Sequence, residues 1–564
     1  MTSLFGISDI KPRPSQELIA STVRSAIAAN SMLLVQASPG IGKSLAYLAP
    51  ALQSGRRTVV SVPTRQLQNQ IVREVERLGY PAVLRVGMEN FFSASRINRI
   101  LADLQSDQKN NATLIQQLRA ARSFNGSIED FVDEFGELLI ERSLICLRSS
   151  SAASDRHAYD EQNKTARDAM LVVQTHALTL LEIRFGRHDA DITIFDEAHT
   201  LPSLAASSVE ARVSLDEVGL DHLADNLGAN AFVLLDDGMR QQIIDAREQV
   251  EDADLKAQLT RILAPIRSLK QGVGIVAKPI PTLQRVSVDP ARFIGPSLRG
   301  RPAIFVSATL NPVEQFKAAL GLPELQLQDF KISKFGTMTI TLADRQVALP
   351  FADGQPNDSF FDYAASMVRA TKGNTLILTA SYDDVERLAV RVAGLIKHER
   401  GEPLGSLIQR FKAEGGKLIT PAAWEGLDLP HFIEDLVIVR LPLAPVSELR
   451  QTVMETMLGA RGYDKAAAKH ILQAQARANS LRRMSQGIGR GIRAPDDKVR
   501  LWIADPRFPL PAAMVRDPRR MLSQGAAMNF RDFASTIPPR FREGVRSAFD
   551  SAAVFSSGSG ENMP

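Results

Sequence analysis

Ala37-Ser38-Pro39-Gly40-Ile41-Gly42-Lys43-Ser44 fits the pattern G/A-x-x-x-x-G-K-[ST], and Asp196-Glu197-Ala198-His199 follows later in the chain. The first pattern works when a strand ends in a glycine-rich turn whose amides point at phosphate oxygens. Val35 and Gln36 end an apolar run, Gly40 and Gly42 allow the turn, and Leu45 to Leu52 can continue as a helix. Lys43 is then expected to reach the β- and γ-phosphates of ATP, and the Ser44 hydroxyl to bind Mg²⁺. The β-prone run Ile192 to Phe195 puts Asp196 at the carboxyl end of a buried strand. Ligands of open α/β sheets bind there. Asp196 is expected to hold Mg²⁺ through water, and Glu197 to orient and deprotonate the attacking water. A surface acid pair capping a helix is the alternative. It fits badly with the apolar run before it.

Working outward, β-rich runs alternate with helical stretches. The first set is Met32–Val35, Thr58–Val62, Leu171–Val173, Ile192–Phe195 and Ala303–Val306; the second is Thr375–Leu378, Ser406–Ile408, Lys417–Thr420, Leu436–Val439 and Leu501–Ala504. Such alternation predicts an α/β fold with two parallel-sheet domains wound with helices. The first set is interrupted from Ser93 to Thr165 by helices and loops, and from Ser207 to Leu298 by an acidic helical insertion, with helices over Leu220–Leu227 and Arg240–Leu263.

The totals agree. A chain of 564 residues is too long for one core, so three or four domains or subdomains are expected. One cysteine, Cys146, rules out an intramolecular disulfide and any cysteine-only metal cage. It suits a reducing, cytoplasmic setting. Met1 to Lys11 has no apolar segment of the secretory kind, and no run approaches the ~18 apolar residues that span a bilayer. The net charge of +4 hides an asymmetry: Arg440 to Asp550 carries 20 Lys and Arg against 10 Asp and Glu, while Ser207 to Lys270 carries 7 against 12. The basic stretch suits either a nucleic acid or a solvated basic surface.

A phosphate loop with an acidic pair serves several ATPase classes, and the later motifs choose among them. Gln486-Gly487-Ile488-Gly489-Arg490-Gly491-Ile492-Arg493 fits Q-x-x-G-R-x-x-R. On a helix, Gln486, Arg490 and Arg493 would share one face and reach across a cleft to a γ-phosphate as arginine fingers. A basic helix facing DNA or solvent is the alternative. Ser307-Ala308-Thr309 follows another buried run, the place of a tripeptide that couples ATP and nucleic-acid sites in superfamily 2 helicases. Arg13 and Gln16, about one helix before the phosphate loop, are placed to read the adenine edge; the alternative is an ordinary helix start capped by Ser15.

With these residues the chain resembles the DinG/XPD group of superfamily 2 DNA helicases, over roughly Pro12 to Pro509. Trp424-Glu425-Gly426-Leu427-Asp428-Leu429-Pro430 and Arg440-Leu441-Pro442-Leu443-Ala444-Pro445 carry that likeness best. The resemblance implies two RecA-like domains with ATP and Mg²⁺ between them, Gly426 and Asp428 joining the nucleotide site. It also implies 5′-to-3′ movement on single-stranded DNA. Thr64 and Arg65, with Thr379 and Ser381, look like its backbone-gripping positions. Thr175-His176-Ala177-Leu178 resembles the family's Asn-His-Ala-Leu segment with Thr175 in place of Asn.

The family's iron-sulphur insertion follows a segment that here reads Gly87-Met88-Glu89-Asn90-Phe91-Phe92-Ser93, with serine where the first ligand belongs. A cluster needs about four ligands, mostly cysteine. A vestigial insertion without an iron-sulphur cluster is expected. Cys146 is either a relic ligand or a small buried hydrophobe. Lack of cysteines makes the chain similar to the CasDinG helicases of type IV-A CRISPR systems, which implies recruitment to a type IV CRISPR effector complex. A housekeeping helicase acting on R-loops or damaged DNA, and an ATP-gated DNA clamp without unwinding, remain the alternatives. The expected layout is a first helicase domain over 1–92, 166–206 and 299–330, the vestigial insertion 93–165, a helical arch 207–298, a second domain 331–555 and a disordered tail 556–564.

Overall fold

Apolar runs become strands in the computed structural model, which describes residues 13–38, 41–106, 112–148, 151–225, 227, 232–263, 273–276, 281–285, 291–310, 312–330, 336–343, 351–352, 355–402, 404–424, 429–443, 451–452, 455, 458–459, 462, 464–494, 496–508, 536–537 and 542–547. The strands β1 (Met32–Ala37), β2 (Thr58–Val62), β3 (Val83–Arg85), β4 (Leu171–Thr175) and β5 (Ile192–Asp196) come first. Four short strands follow, β6 (Ala211–Ser214), β7 (Phe232–Leu234), β8 (Val273–Val276) and β9 (Thr282–Arg285), then β10 (Ala303–Ser307) and β11 (Leu327–Phe330).

The first sheet runs β11-β1-β10-β5-β2-β4-β3, every neighbouring pair parallel. Its inner strands are buried on both faces, as a helix-covered parallel sheet requires. The order matters for the site. β10 lies between β1 and β5, pairing Gln36 with Ser307 and Val306 with Asp196. Three strand ends therefore meet at one edge: the phosphate loop, Ser307 and the acidic pair.

The second domain repeats the plan with β12 (Thr337–Leu342), a hairpin of β13 (Phe351–Ala352) and β14 (Gln355–Pro356), β15 (Thr375–Leu378), β16 (Leu395–Lys397), β17 (Lys417–Thr420), β18 (Asp435–Ile438), β19 (Lys498–Ile503) and β20 (Arg542–Ser547). Its sheet runs β16-β17-β15-β18-β19-β12-β20, again parallel throughout.

Several expectations need correction. Ser406 to Ile408 is not a strand but lies in the helix Leu404–Glu414. Leu404, Leu407, Ile408 and Phe411 recur at helical spacing, and Leu407 and Phe411 are fully buried. The insertion after β5 is not purely helical. Its helices Asp237–Gln249 and Ala253–Leu263 accompany a four-stranded antiparallel sheet, β6-β9-β8-β7. Leu220–Leu227 supplies only a single short 3₁₀ turn over Asp221–Ala224. Gln486 sits in the helix Lys465–Ile488, but that helix ends before Arg490 and Arg493, so the three do not share a helical face. Glycine at 487, 489 and 491 weakens helix propagation there. Gly487 is needed for another reason: a Cβ on it would lie 2.5 Å from Trp424 Cε3.

The insertion between β3 and β4 has its own apolar core, including Phe92, Ile97, Leu118, Ile128, Phe131 and Ile145. Cys146 is buried with them, and burial pushes its thiol up. Ser93 is fully buried; its hydroxyl donates to Asp155 Oδ2 at 2.6 Å, and the Ser95 amide donates to the same oxygen at 3.1 Å. Packing and these hydrogen bonds hold the start of the insertion in place.

Candidate active site

The turn after β1 opens directly into the helix Lys43–Gln53, with Gly42 in the left-handed region at φ +79°. That φ favours glycine, and a Cβ there would lie 2.0 Å from Gln16 Nε2 and push that side chain aside. Gln16 donates through that nitrogen to the Gly42 carbonyl at 3.2 Å and accepts from the Arg13 amide at 2.9 Å. Arg13, not Ser15, is the N-cap of this first helix, with Pro14 in its first turn. Gln16 thus ties the upstream helix to the phosphate loop. Gly40 lies outside the described residues, as do Gly426 and Asp428.

Lys43 Nζ is 3.2 Å from Glu197 Oε1. Glu197 is held in the left-handed region at φ 51°, unusual for a non-glycine residue and often found at functional sites. Its other oxygen is 3.3 Å from Ser307 Oγ and 3.3 Å from His199 Nδ1. Burial raises the Glu197 carboxyl, yet Lys43 and His199 hold it well below the usual carboxylate range. Burial pushes neighbouring Asp196 up to about 6, against the pull of Lys43. Two carboxylates thus share one nearby ammonium. That excess of hard oxygen donors fits a divalent cation such as Mg²⁺. Asp196 Oδ1 accepts from the Glu197 amide at 2.9 Å, and Oδ2 accepts from the Tyr47 hydroxyl at 2.8 Å.

The second domain reaches this cluster directly. Gln486 Nε2 meets His199 Nε2, and Arg482 Nη1 donates to the His199 carbonyl at 3.0 Å. His199 Nδ1 is in turn 2.8 Å from Ser307 Oγ, whose oxygen also accepts from the Thr309 amide at 3.2 Å. Arg490 Nε donates to the Trp424 carbonyl at 3.1 Å, and the Arg493 amide donates to Asp497 Oδ2 at 2.6 Å.

The four residues expected to grip DNA are each engaged within the protein. Thr64 caps the helix Arg65–Arg77, accepting from the Leu67 amide. Arg65 pairs with Glu129 of the insertion at 2.8 Å and lines a cavity of about 550 Å³ with Asn69, Phe91 and Asp130. Thr379 is fully buried, its hydroxyl donating to the Ser381 carbonyl at 3.1 Å. Ser381 caps the helix Tyr382–Ala389.

The sequence reading missed Tyr47, Arg482 and Glu129. Tyr47 lies one turn past Ser44 and Arg482 one turn before Gln486, so both had a signal in helical spacing. Glu129 had none, because its partner is distant in sequence.

Residues 14–121 match the DEAD/DEAH box helicase family, and residues 364–517 match the helicase C-terminal domain family. The ATP-dependent DNA helicase YoaA of Haemophilus influenzae is 32% identical over 226 residues, 36% of this chain and 34% of that protein. YoaA of Escherichia coli is 24% identical over 606 residues, 89% of this chain and 92% of that protein. The 3′-5′ exonuclease DinG of Staphylococcus aureus is 25% identical over 268 residues, 44% of this chain and 30% of that protein. The match thus spans about a third of the first and third of these relatives. Among solved structures, that of S. tokodaii Xpd4 covers 88% of this chain and 96% of its own with TM-score 0.55 at 14% identity. An XPD helicase has the same coverage with TM-score 0.58 at 16% identity. No described helix is long and apolar enough to cross a membrane. Two segments of the chain thus match helicase domain families, its sequence is similar to YoaA and DinG, and its fold is similar to that of XPD structures.

Proposed function

We propose that the chain hydrolyses ATP between its two domains and uses the cycle to move 5′ to 3′ along single-stranded DNA, unwinding duplex DNA or an R-loop. The observation that carries this is the contact of Gln486 and Arg482 with His199, beside Glu197 and Lys43. A second-domain helix is thereby linked to the acidic pair of the first domain, as a cleft-closing ATPase needs.

In this reading Lys43 binds the β- and γ-phosphates and Glu197 receives a proton from the attacking water. Ser44 and Asp196 would hold Mg²⁺, which neutralises phosphate charge when bound. Arg490 and Arg493 act as fingers on the γ-phosphate once the domains close. Gln16 reads the adenine edge with Arg13, and Gly40, Gly42, Gly426 and Asp428 line the nucleotide. Thr64, Arg65, Thr379 and Ser381 are assigned to the DNA backbone. For Arg65 that means leaving Glu129, and for Thr379 it means leaving the Ser381 carbonyl. Backbone contacts give little sequence preference and steep salt dependence.

The insertion is read as metal-free, supported by Ser93 at the first ligand position and by the single cysteine. That same feature supports recruitment to a type IV CRISPR effector complex. The long match to the Escherichia coli DNA helicase favours the second reading, a housekeeping helicase. Binding of the purified chain to a reconstituted type IV effector complex separates the two: failure to bind leaves the housekeeping reading.

The test of the helicase reading is ATP hydrolysis with and without single-stranded DNA, beside unwinding of 5′- and 3′-tailed duplexes. Stimulated hydrolysis with opening of only the 5′-tailed duplex supports it. Binding without either marks a clamp.

A further inference from the structure

Tyr47 stands one helical turn after Ser44 and is fully buried. It belongs to the apolar core of the first domain with Ile19, Val35 and Ile71. Phenylalanine would fill the same space, so the hydroxyl is what requires an account. It donates to Asp196 Oδ2 at 2.8 Å. The other Asp196 oxygen is taken by the Glu197 amide at 2.9 Å. Asp196 is itself only 5% exposed, so both its oxygens are fixed by the protein interior. The Ser44 hydroxyl lies beside the same Tyr47, and beside Glu74. A single phenol therefore adjoins both side chains assigned to Mg²⁺, one from the phosphate-loop helix and one from β5.

We infer that Tyr47 is a positioning residue, holding the Asp196 carboxylate and the Ser44 hydroxyl in the arrangement that receives the Mg²⁺ accompanying ATP. The inference rests on the assignment of those two residues made above. Partners behind a ligand set its direction, and losing one typically costs about 10–100-fold in metal affinity or activity. In Y47F, one Asp196 oxygen loses its donor and the carboxylate can turn, while the ring still fills the core. Lys43 is untouched, so binding of the nucleotide without metal should persist.

The experiment follows a fluorescent ATP analogue bound to the full chain, first in EDTA and then across a Mg²⁺ titration. For Y47F we expect affinity in EDTA equal to that of the native chain. The Mg²⁺ concentration at the midpoint of the metal-dependent gain should rise about tenfold or more. An unchanged midpoint overturns the inference. So does equal weakening with and without Mg²⁺, which marks a packing role. Asp196→Asn separates this from the underlying reading. If D196N keeps the full Mg²⁺ response, the metal assignment falls and Tyr47 with it. If D196N abolishes the response while Y47F leaves it intact, only the role of Tyr47 is lost.

Discussion

Arg482 donates to the carbonyl oxygen of His199 at 3.0 Å, bringing together residues 283 positions apart and on different domains. The carbonyl belongs to the residue whose ring contacts Glu197. Arg482→Ala should loosen this contact between the domains more than it weakens nucleotide binding. Charge-assisted hydrogen bonds of this kind are worth ~1.5–3 kcal/mol. We expect a drop in turnover of roughly tenfold with KM for ATP little changed, read by steady-state kinetics with saturating single-stranded DNA.

Glu197→Gln keeps the shape of the site and removes the base. ATP should still bind, while turnover falls by about 10²–10⁴-fold. Equilibrium binding and single-turnover hydrolysis check the two halves separately.

His176 predicts how the first domain responds to acid. Its ring is fully buried, contacts Ser61 Oγ at 2.7 Å, and burial pushes its pKa down to about 3. In the unfolded chain it titrates near ~6.5. Between those values the unfolded state binds more protons, so stability is full above the upper value and falls as pH drops toward the lower one. The loss should be on the order of a few kcal/mol. Urea unfolding at pH 7 and pH 4.5 measures it, and His176→Asn should flatten the difference.

Gly487→Ala places a methyl group 2.5 Å from the ring of Trp424. Trp424 is nearly fully buried, and its indole donates to the Thr379 carbonyl at 2.8 Å, so it has no free direction to move. The substitution should cost about 1–3 kcal/mol, as overpacking does. Thermal unfolding followed by tryptophan fluorescence reads it, with Trp502 as the other emitter.

Periodicity made much of this fold legible. Buried parallel strands read as continuous apolar runs, and β2, β15 and β17 lie where those runs stand. Short strands were missed because they lack the length for a signal: β3 and β16 have three residues each. Ser406 to Ile408 misled because a short apolar run looks alike in a strand and on a helix face. Within the site, the juxtaposition of Lys43 with Asp196 and Glu197 was legible because the chemistry expected of such motifs demands fixed residue types. The end of the helix at Ile488 was not. It falls among glycines with different neighbours in the folded chain: Gly487 lies against Trp424, and Gly491 against Val499 and Leu436.

One guanidinium cannot serve two anions at full strength. Arg65 already sits 2.8 Å from Glu129, and Arg142 Nη1 is 3.7 Å from the other oxygen of the same carboxylate. A phosphate arriving at Arg65 would enter an exchange in which the new attraction is reduced by the old one. The carboxylate it displaced would keep Arg142 as a neighbour. By linkage, whatever strengthens the hold of Glu129 on Arg65 would weaken a phosphate bound there, and a phosphate bound there would loosen the insertion to the same extent.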